Sequence, residues 1–212
     1  MSLPQKTAPR RARRTKGEQT RGAIVQAAIE QAASQGLEGL TIGSLAERTG
    51  LSKSGLFAHF GSREELQMAV LHAYEQRFLA QVLRPALEAP RGLPRLRAIC
   101  RLWLRQMAAE ADSGCIMVSG AAEYDDRPGP LRDELVAMVQ RWQGELARAV
   151  GQAVSEKHLP QGMDIAAFVF ETYGIVLAMH HEARLLRNPR ALERATQAFE
   201  RLLEFQLSRQ AA

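Results

Sequence analysis

Cysteine is scarce in this 212-residue chain: Cys100 and Cys115 are the only two, too few and too far from any His/Cys cluster for a disulfide framework or a zinc site. Both read as reduced core residues, with a redox-sensing pair as the alternative. Long apolar runs are missing as well. No stretch reaches the roughly eighteen residues that span a bilayer, and no segment has the charged, apolar, small-residue order of a signal peptide, so a cytoplasmic, membrane-free protein is expected. There is no sustained period-two alternation and no internal repeat, which argues against a sheet or a solenoid. Catalytic signatures are also wanting, since no phosphate loop, dinucleotide fingerprint or Ser/His/Asp set is visible. His180, His181 and Glu182 are adjacent, but neighbours on a helix diverge by about 100 degrees and neither histidine has a ligand at i+4, so they read as helix surface or dimer seam. Glu123, Asp125 and Asp126 beside Arg127 read as a turn. No enzyme, metal or cofactor is expected from these patterns.

Hydrophobic residues make up 46% of the chain, enough for one large helical domain or a small domain beside a larger one. The charge is unevenly placed. Residues 1–63 carry ten Lys and Arg against four Asp and Glu, a net +6, while residues 64–212 carry eighteen against nineteen, a net −1. A polyanion would therefore meet the N-terminal third, with an affinity that falls as salt rises. Arg10, Arg11, Arg13 and Arg14 lie in a segment without apolar periodicity, 1–14. It reads as a disordered basic arm able to enter a minor groove, or as a solubilising tail.

The stretch Thr41–Arg63 is the most informative. Thr41 suits an N-cap, and Ile42, Leu45 and Ala46 form an apolar face at i, i+3 and i+4. Gly50 can take the left-handed conformation that ends a helix, so 42–49 is a short helix. Ser52 caps a second helix whose stripe is Leu56, Phe57 and Phe60, closed by Gly61. The result is a helix-turn-helix with Lys53, Ser54, Gly55 and His59 facing solvent, where small side chains permit close approach to a groove and donors read it. The same spacing also suits an ordinary helix hairpin.

Thr15 and Glu18 form a capping box that starts a first helix, with Ile24, Ala27, Ala28 and Ala32 inward and Gly36 as its stop. Arg21 reads as a solvated charge within reach of a phosphate. Ser62 and Glu65 form a second box, opening a long helix through Leu66, Val70, Leu71, Tyr74, Phe78 and Val82 to about Leu87. Further amphipathic helices are expected around Leu96 to Met107, from Leu131 to about Val154, over Ile165–Leu186 and over Ala191–Arg209. Pro90, Gly92, Pro94, Pro130 and Pro189 punctuate them.

Leu45-Ala46, Thr49-Gly50-Leu51-Ser52-Lys53, Leu56-Phe57, His59-Phe60 and Ser62-Arg63-Glu64-Glu65-Leu66 together resemble the N-terminal domain of TetR-family transcriptional regulators, over about residues 20–66. The fold then expected is all-α with about nine helices. It comprises the basic arm over 1–14, a three-helix helix-turn-helix domain over 15–61, and a larger helical domain for effector binding and dimerisation over 62–212. The resemblance implies a repressor that binds a palindromic double-stranded DNA operator as a homodimer and is released by a small molecule. A constitutive architectural protein and an activator are the other readings.

The resemblance also implies residue roles. Lys53, Ser54 and Gly55 fall at base edges or flanking phosphates, and Thr41, Ser52, Phe57, His59 and Arg63 at phosphates. Phe57 stands where a tyrosine is common, which leaves it to packing, and Gly55 where a side chain often reads a base, which shifts readout toward DNA shape. A cavity is implied among the C-terminal helices, with Trp103, Met107, Met117, Tyr124 and Met138, then Trp142, Phe168, Thr172 and Tyr173, as candidates for its walls. An apolar or aromatic effector would suit them, and a plain core is the alternative use of the same side chains. The last two helices resemble the pair that forms a four-helix bundle with a two-fold mate, placing Gly174, Ala178, His181, Arg184, Leu185, Phe199 and Leu202 at the seam.

Overall fold

Side-chain caps set where the first helices begin. Thr15 opens α1 (Lys16–Gln35): its Oγ1 accepts from Glu18 N at 3.2 Å and its own N–H donates to Glu18 Oε2 at 2.7 Å. Thr41 and Ser52 open α2 (Ile42–Thr49) and α3 (Lys53–Phe60) by accepting from Ser44 N and Gly55 N, and Gly50 closes α2 at φ 67°. Ser62 accepts from Glu65 N to start α4 (Arg63–Gln81). Each cap satisfies a first-turn N–H that has no partner within its helix. The structure is a computed structural model that describes residues 15–209; the basic arm expected over 1–14 lies outside them.

α4 is shorter than its apolar spacing predicts. It stops at Gln81, and a single turn, α5 (Leu83–Ala86), follows Val82. Pro85 explains the break, because it has no N–H for the Gln81 carbonyl and its ring would clash with that carbonyl in a continuous helix. The chain continues as α6 (Leu93–Ala109), α7 (Ile116–Tyr124), α8 (Pro130–Ser155), α9 (Ile165–Arg184) and α10 (Ala191–Ser208). Among the described residues there are nine helices of eight residues or more, one single-turn helix and no strand. None is long and apolar enough to cross a membrane.

α1 packs on α2 and α4, with α3 closing against both of these, to make a three-helix unit at the start of α4. α6, α8, α9 and α10 form a bundle, α4 lies along α8, and α7 touches both α1 and α8. At the bundle's centre Trp142 meets Phe78 and Trp103 edge-on, with ring centroids 4.7 and 5.2 Å away, and Tyr173 lies 5.5 Å from Trp103. Such contacts add roughly 0.5–1.5 kcal/mol each beyond burial, and here they join α4, α6, α8 and α9.

Two glycines let the unit and the bundle approach. Gly36 has φ 81° and Gly114 has φ 100°; a Cβ on the first would overlap the Glu123 carboxylate, and one on the second would stand 2.0 Å from the Ala33 carbonyl oxygen. Only a residue without a side chain fits either turn.

Candidate nucleic-acid interface and effector cavity

The hairpin of α2 and α3 is held by Leu45, Leu56 and Phe60, which are buried in one core with Ile24 and Ala28 of α1. A buried polar bolt adds to this. Gln31 on α1 donates to Ser44 Oγ at 2.6 Å and to Gly39 O at 3.2 Å, tying α1 to the first turn of α2. A glutamine inside an apolar stripe is its sequence sign, and it is absent from the candidates named above.

On the outer side Thr41, Ser52, Lys53 and Ser54 are exposed, with Gly55 and His59 half-buried. Lys53 curls back over α2, its Nζ 3.8 Å from where a Cβ on Gly43 would stand, next to Thr41. Ser52 and Ser54 hydroxyls are 3.1 Å apart. A cation and several hydroxyls therefore share one face formed by the first turns of both helices. Phe57 departs from the packing role: it is 47% exposed, because Leu56 and Phe60 take the inward positions and residue 57 points about 100 degrees away from 56.

Arg63 is also placed differently from a free phosphate ligand. Its guanidinium donates to Leu40 O at 3.0 Å and Glu38 O at 2.6 Å and reaches the Glu38 carboxylate at 3.2 Å. It staples the α1–α2 loop to the start of α4. Arg21 lies over the Phe60 ring, 4.7 Å from its centroid.

Glu38 is the hub where the unit meets the bundle. The Tyr124 hydroxyl donates to its Oε1 at 2.5 Å, Arg127 approaches the same oxygen at 3.5 Å, and the Glu38 N–H donates to Glu123 Oε2 at 3.2 Å. Gln67 of α4 adds bonds to Leu37 O at 2.7 Å and to the Tyr124 hydroxyl at 3.4 Å. The Tyr124 bond, aided by Arg63, holds the Glu38 carboxyl below the usual carboxylate range. Burial first, then that carboxylate, pushes the Tyr124 phenol up. Tyr124 thus works at this junction and does not line the cavity described next.

That cavity, of about 540 Å³, opens between α4 and α8 with walls of Tyr74, Phe78, Leu79, Met117, Met138 and Trp142. Glu75, Arg141, Gly144, Glu145 and Arg148 complete its lining. Of the nine candidate wall residues, Met117, Met138 and Trp142 are there. Trp103 sits behind Trp142 and Tyr173 behind Trp103, Phe168 packs on Phe199 with centroids 6.4 Å apart, and Met107 and Thr172 are buried in the core. The charged lining is new. Arg141 holds Glu75 of α4 in a two-pronged pair at 2.7 and 2.9 Å and reaches Glu134 at 2.7 Å.

Below the cavity the Tyr74 hydroxyl donates to Glu110 Oε2 at 2.7 Å and lies 3.1 Å from Cys115 Sγ. Burial, with the Glu110 charge, pushes the Cys115 thiol up to about 11, and burial raises Cys100 as well. Neither thiol carries the thiolate character that redox sensing at neutral pH requires.

The outer side of α9, joined by Phe205 of α10, carries uncovered apolar side chains. Phe170 is 77% exposed, and Leu177, Leu185 and Phe205 are also uncovered, in line with exposed Gly174, Ala178 and His181. Arg184 folds back to donate to the carbonyls of Ala111 at 3.0 Å and Asp112 at 3.2 Å. Phe199 and Leu202, expected at the seam, instead point into the subunit and are buried in its own core.

No curated protein matches the chain. The family model for the tetracyclin repressor-like C-terminal domain matches residues 92–199, and that for bacterial regulatory proteins of the tetR family matches residues 24–70. A TetR-family transcriptional regulator from Streptomyces coelicolor superposes with a TM-score of 0.77 at 17% identity, covering 91% of this chain and 97% of that one. One from Cytophaga hutchinsonii gives 0.78 at 20% identity, with 92% and 98% covered. AibR, solved in complex with isovaleryl coenzyme A and operator DNA, gives 0.64 at 23% identity, with 84% and 94% covered. These structural likenesses are of fold, while the two family matches span both the reading hairpin and most of the bundle. The chain belongs to the TetR family of DNA-binding transcriptional regulators.

Proposed function

We propose that this regulator is a repressor that grips a palindromic operator as a homodimer and lets go when a small apolar or aromatic molecule enters the α4–α8 cavity. The observation that carries this reading is the placement of α4. The helix starts just after α3 and, farther along, supplies Tyr74, Glu75 and Phe78 to the cavity. An occupant that displaces this wall acts on the same rod that positions the reading hairpin. It must favour the DNA-incompetent arrangement by about 3 kcal/mol for a hundredfold release. AibR, solved in complex with isovaleryl coenzyme A and operator DNA, supports only the premise that one chain of this fold can bind both a small molecule and DNA.

On DNA, Lys53, Ser54 and Gly55 approach base edges or flanking phosphates, and Thr41, Ser52, Phe57 and His59 lie along the backbone; Arg63 acts by fixing the hairpin to α4. The uncovered apolar face of α9 and α10 pairs two subunits, setting their hairpins about 34 Å apart on successive major-groove turns. Selection of genomic fragments on the purified chain tests the reading. The expected product is a palindrome with half-sites one helical turn apart, and recovery without a common motif would overturn it. With that operator in hand, Lys53→Ala should weaken binding and flatten the salt dependence by about two units of slope, one for each subunit of the dimer. An unchanged affinity and slope would remove Lys53 from the contacts.

A further inference from the structure

We infer that the α4–α8 cavity takes an organic anion, an apolar or aromatic body whose carboxylate-like head is received by Arg141 and Arg148. This rests on the cavity being the effector site. Its walls are aromatic and thioether side chains, which suit the body. The head is decided by how the charges are layered. The lining carboxylates are the less exposed partners, with Glu75 16% and Glu145 28% exposed, whereas the Arg141 and Arg148 side chains are 48% and 67% exposed. An arriving ligand therefore meets guanidinium N–H groups before it meets carboxylate oxygens.

The arginines also have donors to spare. Arg141 spends Nε and one terminal nitrogen on Glu75 and Glu134, and a guanidinium has five N–H donors, which leaves its other terminal nitrogen for a ligand. Arg148 is paired with Glu145 one turn away on the same helix, an exposed pair of the kind that exchanges at little cost. Arg141 and Arg148 are about 10 Å apart along the α8 axis, two turns on one face. Gly144 lies between them, and a Cβ there would touch nothing within 4 Å, so the wall between the guanidiniums is open. A cation at this mouth would face two guanidiniums, and the lining carboxylates Glu75 and Glu145 are each already engaged by one of them. An anion instead competes with Glu75 for Arg141, loosening the charged link between α8 and α4.

The test uses two bodies, each with three heads: 4-phenylbutyrate, its primary amide and 4-phenylbutylamine, and nonanoate, nonanamide and nonylamine. Binding to the full chain is followed by calorimetry and by tryptophan fluorescence, since Trp142 lines the cavity and Trp103, the chain's other tryptophan, packs behind it. The acid of at least one series should bind about tenfold or more tightly than its amide. Arg148→Gln and Arg141→Gln, checked for folding by circular dichroism, should shrink that preference to about threefold or less while the amide's affinity holds. Amides or amines that bind as tightly as the acids, or a preference untouched by both substitutions, overturn the anion and leave the cavity as a site for another class. If none of the six binds or perturbs tryptophan emission, the cavity fails as an effector site and the anion falls with it.

Discussion

Arg63 and Lys53 stand ten positions apart at the same end of the molecule, yet their surroundings give them different work. Arg63 is committed to the Glu38 and Leu40 carbonyls, so Arg63→Ala should lower the urea-unfolding free energy by about 1–2 kcal/mol. Its effect on the salt slope of DNA binding should be smaller than that of Lys53→Ala; unchanged stability with about two units of slope lost, one for each subunit, would reassign it to a phosphate. The cysteines make a second prediction at this scale. With Cys115 raised to about 11 and both thiols buried, a disulfide reagent at neutral pH should label neither in the native chain and both after unfolding. Rapid native labelling would reveal a path to the sulfur that burial denies.

Among the elements, α4 and α7 share the junction at Glu38. The Glu38 pKa in the folded chain lies below its ordinary value of 4.5. Its contribution is therefore complete above 4.5 and is lost as pH falls through the lower folded value. Tyr124→Phe removes the leading cause of that shift. Discounted for partial exposure, the variant should be about 0.5–1 kcal/mol less stable near neutrality and should converge on the parent as acid protonates Glu38. A deficit of the same size at about pH 3 would mean that Tyr124 acts through some other group. The α4–α8 link gives a companion expectation. Glu75→Gln abolishes the charged pair without removing volume, so it should weaken operator binding in the absence of ligand if that pair holds the DNA-competent arrangement; an unchanged affinity in gel shifts would sink this role.

At the scale of the whole molecule, the outer side of α9 and α10 leaves Phe170, Leu177, Leu185 and Phe205 without a partner inside the subunit. Replacing Phe170 and Leu177 with Glu should give a folded monomer in sedimentation, because both side chains are exposed and contribute little to the subunit's own core. Operator affinity should then fall by about a hundredfold or more as two linked half-sites become independent. A dimer that survives both substitutions would move the seam elsewhere.

Helix ends, the hairpin and the family were legible in the chain because capping, glycine conformation and apolar spacing act over three or four residues. Thr15, Thr41, Ser52 and Ser62 each cap the helix that their local pattern assigns them. Pro85 was legible by the same local rule, and it overrides the apolar spacing that runs past it. Tertiary structure alone decided the rest. Periodicity says which residues share a face but not what covers that face, so Phe199 and Leu202 went to the core while Phe170 and Phe205 stayed outside. Arg63 found backbone carbonyls more than twenty residues away in the chain. The Glu75–Arg141 pair joins positions 66 residues apart. Electrostatic partners of that kind are fixed by how helices pack against one another, and no local pattern records them.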